Sequence, residues 1–329
     1  MKMVPSCQIS VVIPTYRRCN SLQRLLLALS HQTLSPEQYE VVVSIDGSED
    51  GTREMAAEFS APYRLHALWQ PNAGRASACN AGIRAAAGDL LVILDDDMEP
   101  VPDFLAAHLR AHSPGSELCV VGAVPVRLDQ SSSPVLQFVG SKHNQHSKRL
   151  SQPGYRIWAR DFYSGNCSIP RESLLRIGAF DEEFKAYGNE DCELFIRLSN
   201  AGIPVTYSVE ALAYQHYEKD FATLARDRMA AGRTAVQLAH KHPALSDPFI
   251  ITRYRQASVK WRCMRAILLS ISRAWSGMPR FILSSVSALI RLWPSSFRIL
   301  GPAALDYFYW ESALSAIREQ HGAHLPPRR

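Results

Sequence analysis

The segment Leu90-Leu-Val-Ile-Leu-Asp-Asp-Asp97 carries the strongest signal for the fold. A short, uninterrupted apolar run with branched side chains is typical of a strand buried on both faces of a parallel sheet. Three aspartates follow this run directly. Open α/β sheets bind ligands beyond the carboxyl ends of their strands, so this one segment predicts a fold class and the position of a site.

Two similar apolar runs precede it, at Ile9–Ile13 and Val41–Ile45, and leucines at positions 22, 25, 26 and 29 between them have helical spacing. A weaker strand is predicted over 64–69, and an alanine-rich helix over 73–87 that stops at Gly88. This alternation predicts an α/β protein with an open, doubly wound sheet flanked by helices.

Composition excludes several classes of protein. The chain has 329 residues, of which 47% are hydrophobic and 20% charged, which is ordinary for a globular protein. Its formal charge of +5 is too small to indicate a nucleic-acid binder, and none is expected as a partner. The charge is uneven, however, because Pro248–Arg329 holds twelve basic and three acidic residues and the rest of the chain is slightly acidic.

Seven scattered cysteines, with no CxxC pair, indicate neither a disulfide framework nor a zinc cluster, and so predict a reducing compartment. The first apolar run is too short for the core of a signal peptide, and no stretch reaches the ~20 apolar residues that span a bilayer. We therefore expect a cytoplasmic protein without a membrane-spanning helix.

Three predicted strands end in polar segments that should meet in one crevice. These segments are Pro14-Thr-Tyr-Arg17, Asp46-Gly-Ser-Glu-Asp-Gly51 and Asp95-Asp-Asp97. None contains GxGxxG or GxxxxGK[ST], which argues against a dehydrogenase and a P-loop NTPase. Adjacent carboxylates repel unless a cation or proton intervenes, so Asp95–Asp97 indicates a hard divalent ion, Mg²⁺ or Mn²⁺. The alternative is a solvated acidic turn.

The ordered motifs resemble those of family 2 glycosyltransferases with the GT-A fold. Besides the segments above, they comprise Asn72-Ala-Gly-Arg-Ala-Ser-Ala-Cys-Asn-Ala-Gly82, Gly165-Asn166, Gly178-Ala-Phe-Asp-Glu-Glu-Phe184 and Gly188-Asn-Glu-Asp-Cys-Glu-Leu194. The resemblance runs from residue 8 to about residue 220. It implies a GT-A-type mixed sheet, a nucleoside-diphosphate sugar as donor and a divalent metal as cofactor.

The resemblance also implies roles for individual residues on the donor side. It assigns the nucleoside and donor sugar to Pro14, Thr15, Asp46, Arg75, Asn80, Asp95, Asp96 and Asn166, and the metal to Asp97 and His216. For Arg75 a solvated helix position is an equal alternative, and for His216 a structural role.

Glu190 and Asp191 begin a predicted helix, where acids usually serve only to cap the helix and complement its dipole. The resemblance instead implies that Asp191 is the general base for the acceptor hydroxyl, with Glu190 orienting acceptor or base. One base without a second carboxylate as nucleophile favours a single displacement with inversion.

We expect His108 and His112 to be surface residues, and the basic stretch 127–160 to be a long loop acting as lid, acceptor wall or surface insertion.

Nine Arg or Lys residues and no acids lie between Pro248 and Leu305. Their arginine stripe and tryptophan-containing apolar stripe predict amphipathic helices in an anionic membrane interface; packing on the catalytic domain is the alternative. We thus divide the chain into a nucleotide-sugar-binding half (1–126), an acceptor half with the base (127–245) and a basic helical tail (246–329).

Together these features predict the transfer of one sugar to a hydroxyl acceptor, such as a lipid-linked glycan at the cytoplasmic membrane face. The chain lacks the QxxRW motif of processive synthases. Two alternatives stay open: a sugar nucleotidyltransferase, and an inactive membrane-docking protein on a transferase scaffold.

Overall fold

The computed structural model describes residues 7–245 and 257–322 of the chain. The predicted tail therefore has two parts, 246–256 and 323–329, that lie outside the described residues. The chain divides into two compact units. The first takes its residues from Met1–Asp129, Val139–Lys185 and Glu190–Tyr217, and the second from Gln130–Phe138, Ala186–Asn189 and Glu218–Arg329.

Strands β1 to β9 all belong to the first unit. They span Ile9–Thr15, Tyr39–Asp46, Arg64–Gln70, Leu90–Leu94, Met98–Pro100, Cys119–Gly122, Asn166–Pro170, Val205–Ser208 and Ala213–Gln215. Helices α1 to α8 span Cys19–Leu29, Thr52–Glu58, Arg75–Ala85, Phe104–Ala111, Pro134–Leu150, Arg171–Arg176, Glu190–Asn200 and Phe221–Lys241. Helices α9 to α11 span Val259–Ala274, Met278–Leu292 and Phe297–Gly322.

A seven-stranded sheet with the order β3-β2-β1-β4-β7-β6-β8 forms the centre of the first unit. Strands β3, β2, β1 and β4 are parallel, whereas β7 runs antiparallel to both of its neighbours. Every residue of β1, β2 and β4 is buried, as their continuous apolar sequences predict for strands covered on both faces. The predicted mixed, doubly wound sheet flanked by helices is confirmed.

A two-stranded antiparallel ribbon lies directly after the aspartate triplet. Met98 of β5 pairs with Gln215 of β9, and the backbone N–H of His216 donates to the carbonyl of Asp97 at 2.8 Å. This ribbon brings the segment around residue 215 next to the triplet, although more than a hundred residues separate them in sequence.

Two expectations about residues 104–160 are wrong. The predicted basic loop contains the helix α5, because Val135, Val139 and Leu150 recur at helical spacing and are buried while the lysines and arginines point away from them. His108 is completely buried instead of lying on the surface. Its ring contacts Ser168 Oγ at 2.8 Å and Asn166 Oδ1 at 2.9 Å, and burial lowers its pKa to about 4.

Helices α8 and α11 form the core of the second unit. A Cβ on Gly232 of α8 would lie 2.2 Å from the carbonyl oxygen of Tyr309, so glycine allows the two helices to approach closely. Helix α9 ends at Ala274 and α10 begins at Met278, with Pro279 in its first turn, and the two helices contribute the buried residues Leu269, Ile282 and Val286. Among the described residues, no helix is long and apolar enough to cross a membrane.

Gly122 at the end of β6 provides a test of the packing beside the sheet. A Cβ there would lie 2.3 Å from the carbonyl oxygen of Ala211 and 2.4 Å from Asn166 Nδ2. Because the first of these is backbone, Gly122→Ala should lower the free energy of unfolding by on the order of 3 kcal/mol, measured by urea denaturation.

Gly115→Ala is the matched control. Gly115 has a positive φ but nothing within 4 Å of the added Cβ, so its substitution reports only the cost of the left-handed backbone, about 1–2 kcal/mol. Equal losses of stability in the two variants would contradict the close contact at Gly122.

Candidate active site

The three predicted strand ends meet at the carboxyl edge of the sheet. Thr15 Oγ1 at the end of β1 donates to Asp96 Oδ2 at 2.7 Å, which joins β1 to the aspartate triplet after β4. The backbone N–H of Arg17 donates to Ser48 Oγ at 2.8 Å, which joins β1 to the segment after β2. Pro14, one residue before Thr15, is buried at the same edge. The predicted convergence of the three strand ends at one edge of the sheet is confirmed.

Arg75, in the first turn of α3, connects the aspartate triplet to the predicted base. Its Nη2 lies 2.7 Å from Asp95 Oδ1, and its Nη1 donates to Ser164 Oγ at 3.0 Å. The same Nη1 lies 3.7 Å from Asp191 Oδ1 and 4.0 Å from Glu190 Oε1. A single guanidinium therefore links the two groups of acids, and the alternative of a solvated helix position for Arg75 is wrong.

Burial and mutual repulsion perturb the two acids at the start of α7. Burial, and then the neighbouring charge of Asp191, raise the pKa of Glu190 from 4.5 to about 7, with Arg75 acting against them. Burial likewise raises the pKa of Asp191, while Arg75 and a short hydrogen bond from Ser164 Oγ oppose the rise. Oε2 of Glu190 is buried without a hydrogen-bond partner in the described chain. Carboxyl groups with raised pKa values bind a proton more readily and are suited to proton transfer.

Asp95 depends on a glycine that touches it. A Cβ on Gly165 would lie 2.2 Å from Asp95 Oδ2, and the backbone N–H of Asp95 donates to the carbonyl of Gly165 at 2.9 Å. Only glycine fits against the carboxylate at this distance.

Asp96 and Asp97 share the guanidinium of Arg18, a residue that the sequence analysis did not single out. Arg18 Nη1 lies 3.4 Å from Asp96 Oδ1 and 3.1 Å from Asp97 Oδ2. Burial raises the pKa of Asp96 to about 7, although the charge of Arg18 lowers it. Arg17 and Arg18 are adjacent residues of the same type, so no pattern in the sequence separates them.

The surroundings of Asp97 fit a hard cation. Gln215 Nε2 lies 3.5 Å from both carboxylate oxygens, and Gln215 Oε1 is a buried oxygen without a hydrogen-bond partner among the described residues. His216 follows, with its Nε2 2.5 Å from Glu99 Oε2. Residues 7–245 and 257–322 contain no group of three or more His, Cys, Asp or Glu side chains that could hold a metal ion by themselves. Mg²⁺ and Mn²⁺ usually need only one or two carboxylates, with phosphate oxygens filling other positions.

Asp46 is buried at the end of β2 and anchors the loop before α3. Its carboxylate accepts from the backbone N–H groups of Ala73 at 2.8 Å and Gly74 at 2.9 Å, and from Gln70 Nε2 at 2.8 Å. This loop leads directly into Arg75, so Asp46 helps to position that guanidinium. A contact between Asp46 and a nucleotide base stays a prediction.

Asn80 and Asn166 are engaged with the protein itself. Asn80 exchanges hydrogen bonds with the backbone of Phe180 at 2.8 and 2.9 Å and donates to Glu182. Asn166 is completely buried, and its Nδ2 donates to the carbonyl groups of Ala123 and Ala211. The predicted contacts of both residues with the donor stay predictions, and the observed contacts favour structural roles.

Comparisons with known proteins bear on the family and the fold of the chain. Residues 10–184 match the model of glycosyl transferase family 2. Validoxylamine A glucosyltransferase from Streptomyces hygroscopicus subsp. limoneus is 33% identical over 228 residues, covering 62% of this chain and 50% of that protein. Chondroitin synthase from Escherichia coli is 29% identical over 260 residues, covering 70% of this chain and 38% of that protein. The chain thus spans about half the length, or less, of these relatives.

A solved structure shares the fold. A mannosyltransferase from Pyrobaculum calidifontis, in complex with GDP-Man and Mn²⁺, superposes with a TM-score of 0.61 at 19% identity and covers 95% of this chain and 88% of its own. At this identity the likeness shows a common fold.

The raised pKa of Glu190 predicts a pH-dependent gain of stability on its substitution. An acid whose pKa is higher in the native state has no effect on stability below the pKa that it has in the unfolded chain. As the pH rises from that value through the native pKa, the acid increasingly destabilises the native state. The free energy of unfolding of Glu190→Gln should therefore equal that of the wild type at about pH 4. At about pH 8 it should exceed the wild-type value by on the order of 1–3 kcal/mol, measured by urea denaturation.

Glu182→Gln is the control with the opposite sign. The hydrogen bond from Asn80 lowers the pKa of Glu182, so its ionised form stabilises the native state at neutral pH and the substitution should lose stability there. A Glu190→Gln variant whose stability relative to wild type did not change with pH would contradict the assignment.

Proposed function

Because the chain belongs to glycosyl transferase family 2, we propose that it is an inverting glycosyltransferase that moves one sugar from a nucleoside-diphosphate sugar to a hydroxyl acceptor. The observation that carries the proposal is the guanidinium of Arg75, which contacts Asp95 on one side and approaches Asp191 on the other. A donor near the aspartate triplet and an acceptor near Asp191 would thus share one crevice.

On the donor side, we assign the nucleoside and its sugar to the crevice lined by Thr15, Asp46 and Asp95. Arg75 would keep Asp95 in place for the sugar. A bound Mn²⁺ or Mg²⁺ would neutralise the charge of the departing nucleoside diphosphate. Asp97 would hold this cation with the help of Gln215 and His216, and the unpartnered oxygen of Gln215 supports that assignment.

On the acceptor side, Asp191 would take the proton of the attacking hydroxyl. Ser164 Oγ and Arg75 fix the orientation of its carboxylate, and burial keeps its pKa above the ordinary value, so that it binds the incoming proton more readily. Glu190, whose pKa is raised to about 7, would be partly protonated at neutral pH and would therefore add less negative charge beside Asp191. With one carboxylate acting as base and no nucleophilic partner assigned, the sugar would invert in a single displacement.

Substitution of Asp191 and of Asp97 should separate chemistry from donor binding. Asp191→Asn retains size and hydrogen bonding but cannot accept the proton, so transfer should fall by roughly 10²–10⁴-fold while nucleotide-sugar binding persists. Asp97→Asn should weaken Mn²⁺-dependent binding of the donor itself. A thermal-shift screen of UDP- and GDP-sugars with and without Mn²⁺ identifies the donor, and calorimetry with that donor measures binding.

Unchanged turnover in Asp191→Asn would refute its role as base. Equal donor affinity of Asp97→Asn and wild type in Mn²⁺ would refute the assignment of the metal to Asp97.

We further propose that the second unit binds an anionic membrane surface, where a lipid-linked acceptor on the cytoplasmic face would be met. Helices α9 and α10 and the start of α11 carry a group of exposed apolar side chains, which we call the tail surface: Ile267, Ile271, Trp275, Phe281, Leu289, Leu292, Trp293 and Ile299. Leu292 is 83% exposed and Trp293 66%. Several exposed large apolar side chains within one segment of the chain favour an interaction site there.

The charge of the same helices supports an anionic partner. Helices α9 and α10, which carry most of the tail surface, also carry four exposed arginines: Arg262, Arg273, Arg280 and Arg291. Arg265 is the exception, because it is buried and pairs with Asp306 at 2.7 and 2.9 Å. Exposed arginines beside tryptophan and leucine are typical of helices that lie in a membrane interface.

The full-length variant Phe281→Ser/Leu292→Ser/Trp293→Ser should lose at least about tenfold in partitioning to vesicles of phosphatidylglycerol and phosphatidylcholine, because each apolar side chain buried in the interface contributes about 1.5–3 kcal/mol. Cosedimentation at low and high salt measures the loss.

Leu27→Ser/Leu175→Ser/Val209→Ser is the control, because it removes three exposed apolar residues of the first unit. It should bind vesicles as the wild type does. Equal vesicle binding of the tail variant and the wild type would contradict the membrane proposal.

A further inference from the structure

Trp158 is a large aromatic residue exposed on a fixed backbone. Its side chain is 55% exposed, in the turn between α5 and β7. The backbone on both sides is held by one residue: Trp158 N–H donates to Asp161 Oδ2 at 3.2 Å, and Asp161 N–H donates to the Trp158 carbonyl at 2.8 Å. Ile157, directly before it, is buried.

Asp161 in turn fastens this turn to α5. Its carboxylate, 1% exposed, accepts from Arg149 Nη2 at 2.8 Å and from the Tyr155 hydroxyl at 2.9 Å. Its carbonyl contacts His146 Nε2 at 3.0 Å. A buried carboxylate with this many donors is costly to displace, so the fold fixes the backbone that carries the exposed indole.

The turn lies against the start of α7, which carries the proposed base. Cys192 Sγ donates to the carbonyl of Ala159 at 3.1 Å, and Cys192 follows Asp191 in sequence. The rings of Phe162 and Phe195 pack with their centroids 5.7 Å apart. Trp158 therefore sits one residue from a direct contact with the helix turn that contains Asp191.

An indole has a flat face with negative charge density, and it suits a ligand that presents a flat, positively polarised apolar face. One face of a pyranose ring is formed by C–H groups, and the hydroxyl groups project at its edge. Arg156 lies over one face of the indole, with its Cζ 5.4 Å from the ring centroid, so a sugar would use the other face and would meet the guanidinium donors only at the edge of the ring.

We propose that Trp158 forms an acceptor subsite for a sugar ring, which stacks on the exposed face of the indole while its hydroxyl is presented toward Asp191. The inference rests on the proposed glycosyl transfer and specifies its acceptor class: the group that enters the site is a carbohydrate, whether free, in a glycan or as the head of a glycolipid. A bare alcohol or lipid tail would not use the stacking surface.

Saturation-transfer-difference NMR on the full chain tests the subsite without requiring turnover. The probes are the methyl glycosides of glucose, galactose, mannose and N-acetylglucosamine. Wild type should give signals from the C–H protons of one ring face of at least one glycoside, and Trp158→Ala should lose them. Trp158→Phe, which keeps an aromatic face, should retain part of the signal, and Trp69→Ala, which removes another exposed tryptophan with an arginine over its ring, should retain all of it.

Transfer to the glycoside that binds gives the second readout. Trp158→Ala should raise the acceptor KM by roughly tenfold or more, with a much smaller change in kcat. The subsite is overturned if no glycoside gives a signal with the wild type, if Trp158→Ala keeps the wild-type signals and acceptor KM, or if its defect is instead a loss of vesicle binding.

Failure of the subsite is distinguishable from failure of the proposed function. If Asp191→Asn keeps full turnover, the assigned base is wrong while the NMR result stands by itself. If transfer depends on Asp191 but not on Trp158, only the subsite is wrong.

Discussion

The repulsion among carboxylates at the carboxyl edge of the sheet is the constraint on which the site depends. Asp95 and the Glu190–Asp191 pair come from distant parts of the chain and meet around the guanidinium of Arg75. Arg18 has the same relation to Asp96 and Asp97. Even so, the pKa values of Asp96 and Glu190 rise to about 7, because burial disfavours the charged forms. Acids with raised pKa values therefore lie together at the carboxyl edge of the sheet, where a proton or a cation relieves their repulsion.

Close packing and satisfied hydrogen bonds below the crevice keep these acids in position. Gly165 lies against Asp95, and Gly122 lies against Asn166 and the carbonyl of Ala211. Asn166 contacts the buried ring of His108, whose pKa of about 4 keeps it neutral and able to share its hydrogen bonds. The polar residues at the sheet edge therefore divide into some that face the crevice and others that support it.

The second unit shows why amphipathic pattern alone leaves a helix ambiguous. The apolar residues of α9 and α10 divide into a buried set, which includes Leu269 and Ile282, and the exposed tail surface. Arg265 looks like any other tail arginine in the sequence, yet it is buried and pairs with Asp306. The pattern of residue types predicts these helices correctly. Which of their side chains are buried depends on how the helices pack together.

The sequence by itself determined the strands, the order of motifs and the edge where polar residues gather, because continuous apolar runs permit few other structures. The helix α5 was missed, since its charged residues obscured a narrow apolar stripe. Only the tertiary structure decided that Arg75 bridges two groups of acids, that Asn166 is buried and that Trp158 lies beside the start of α7. Those facts depend on contacts between residues far apart in the chain, and such contacts are set by three-dimensional packing that no local pattern records.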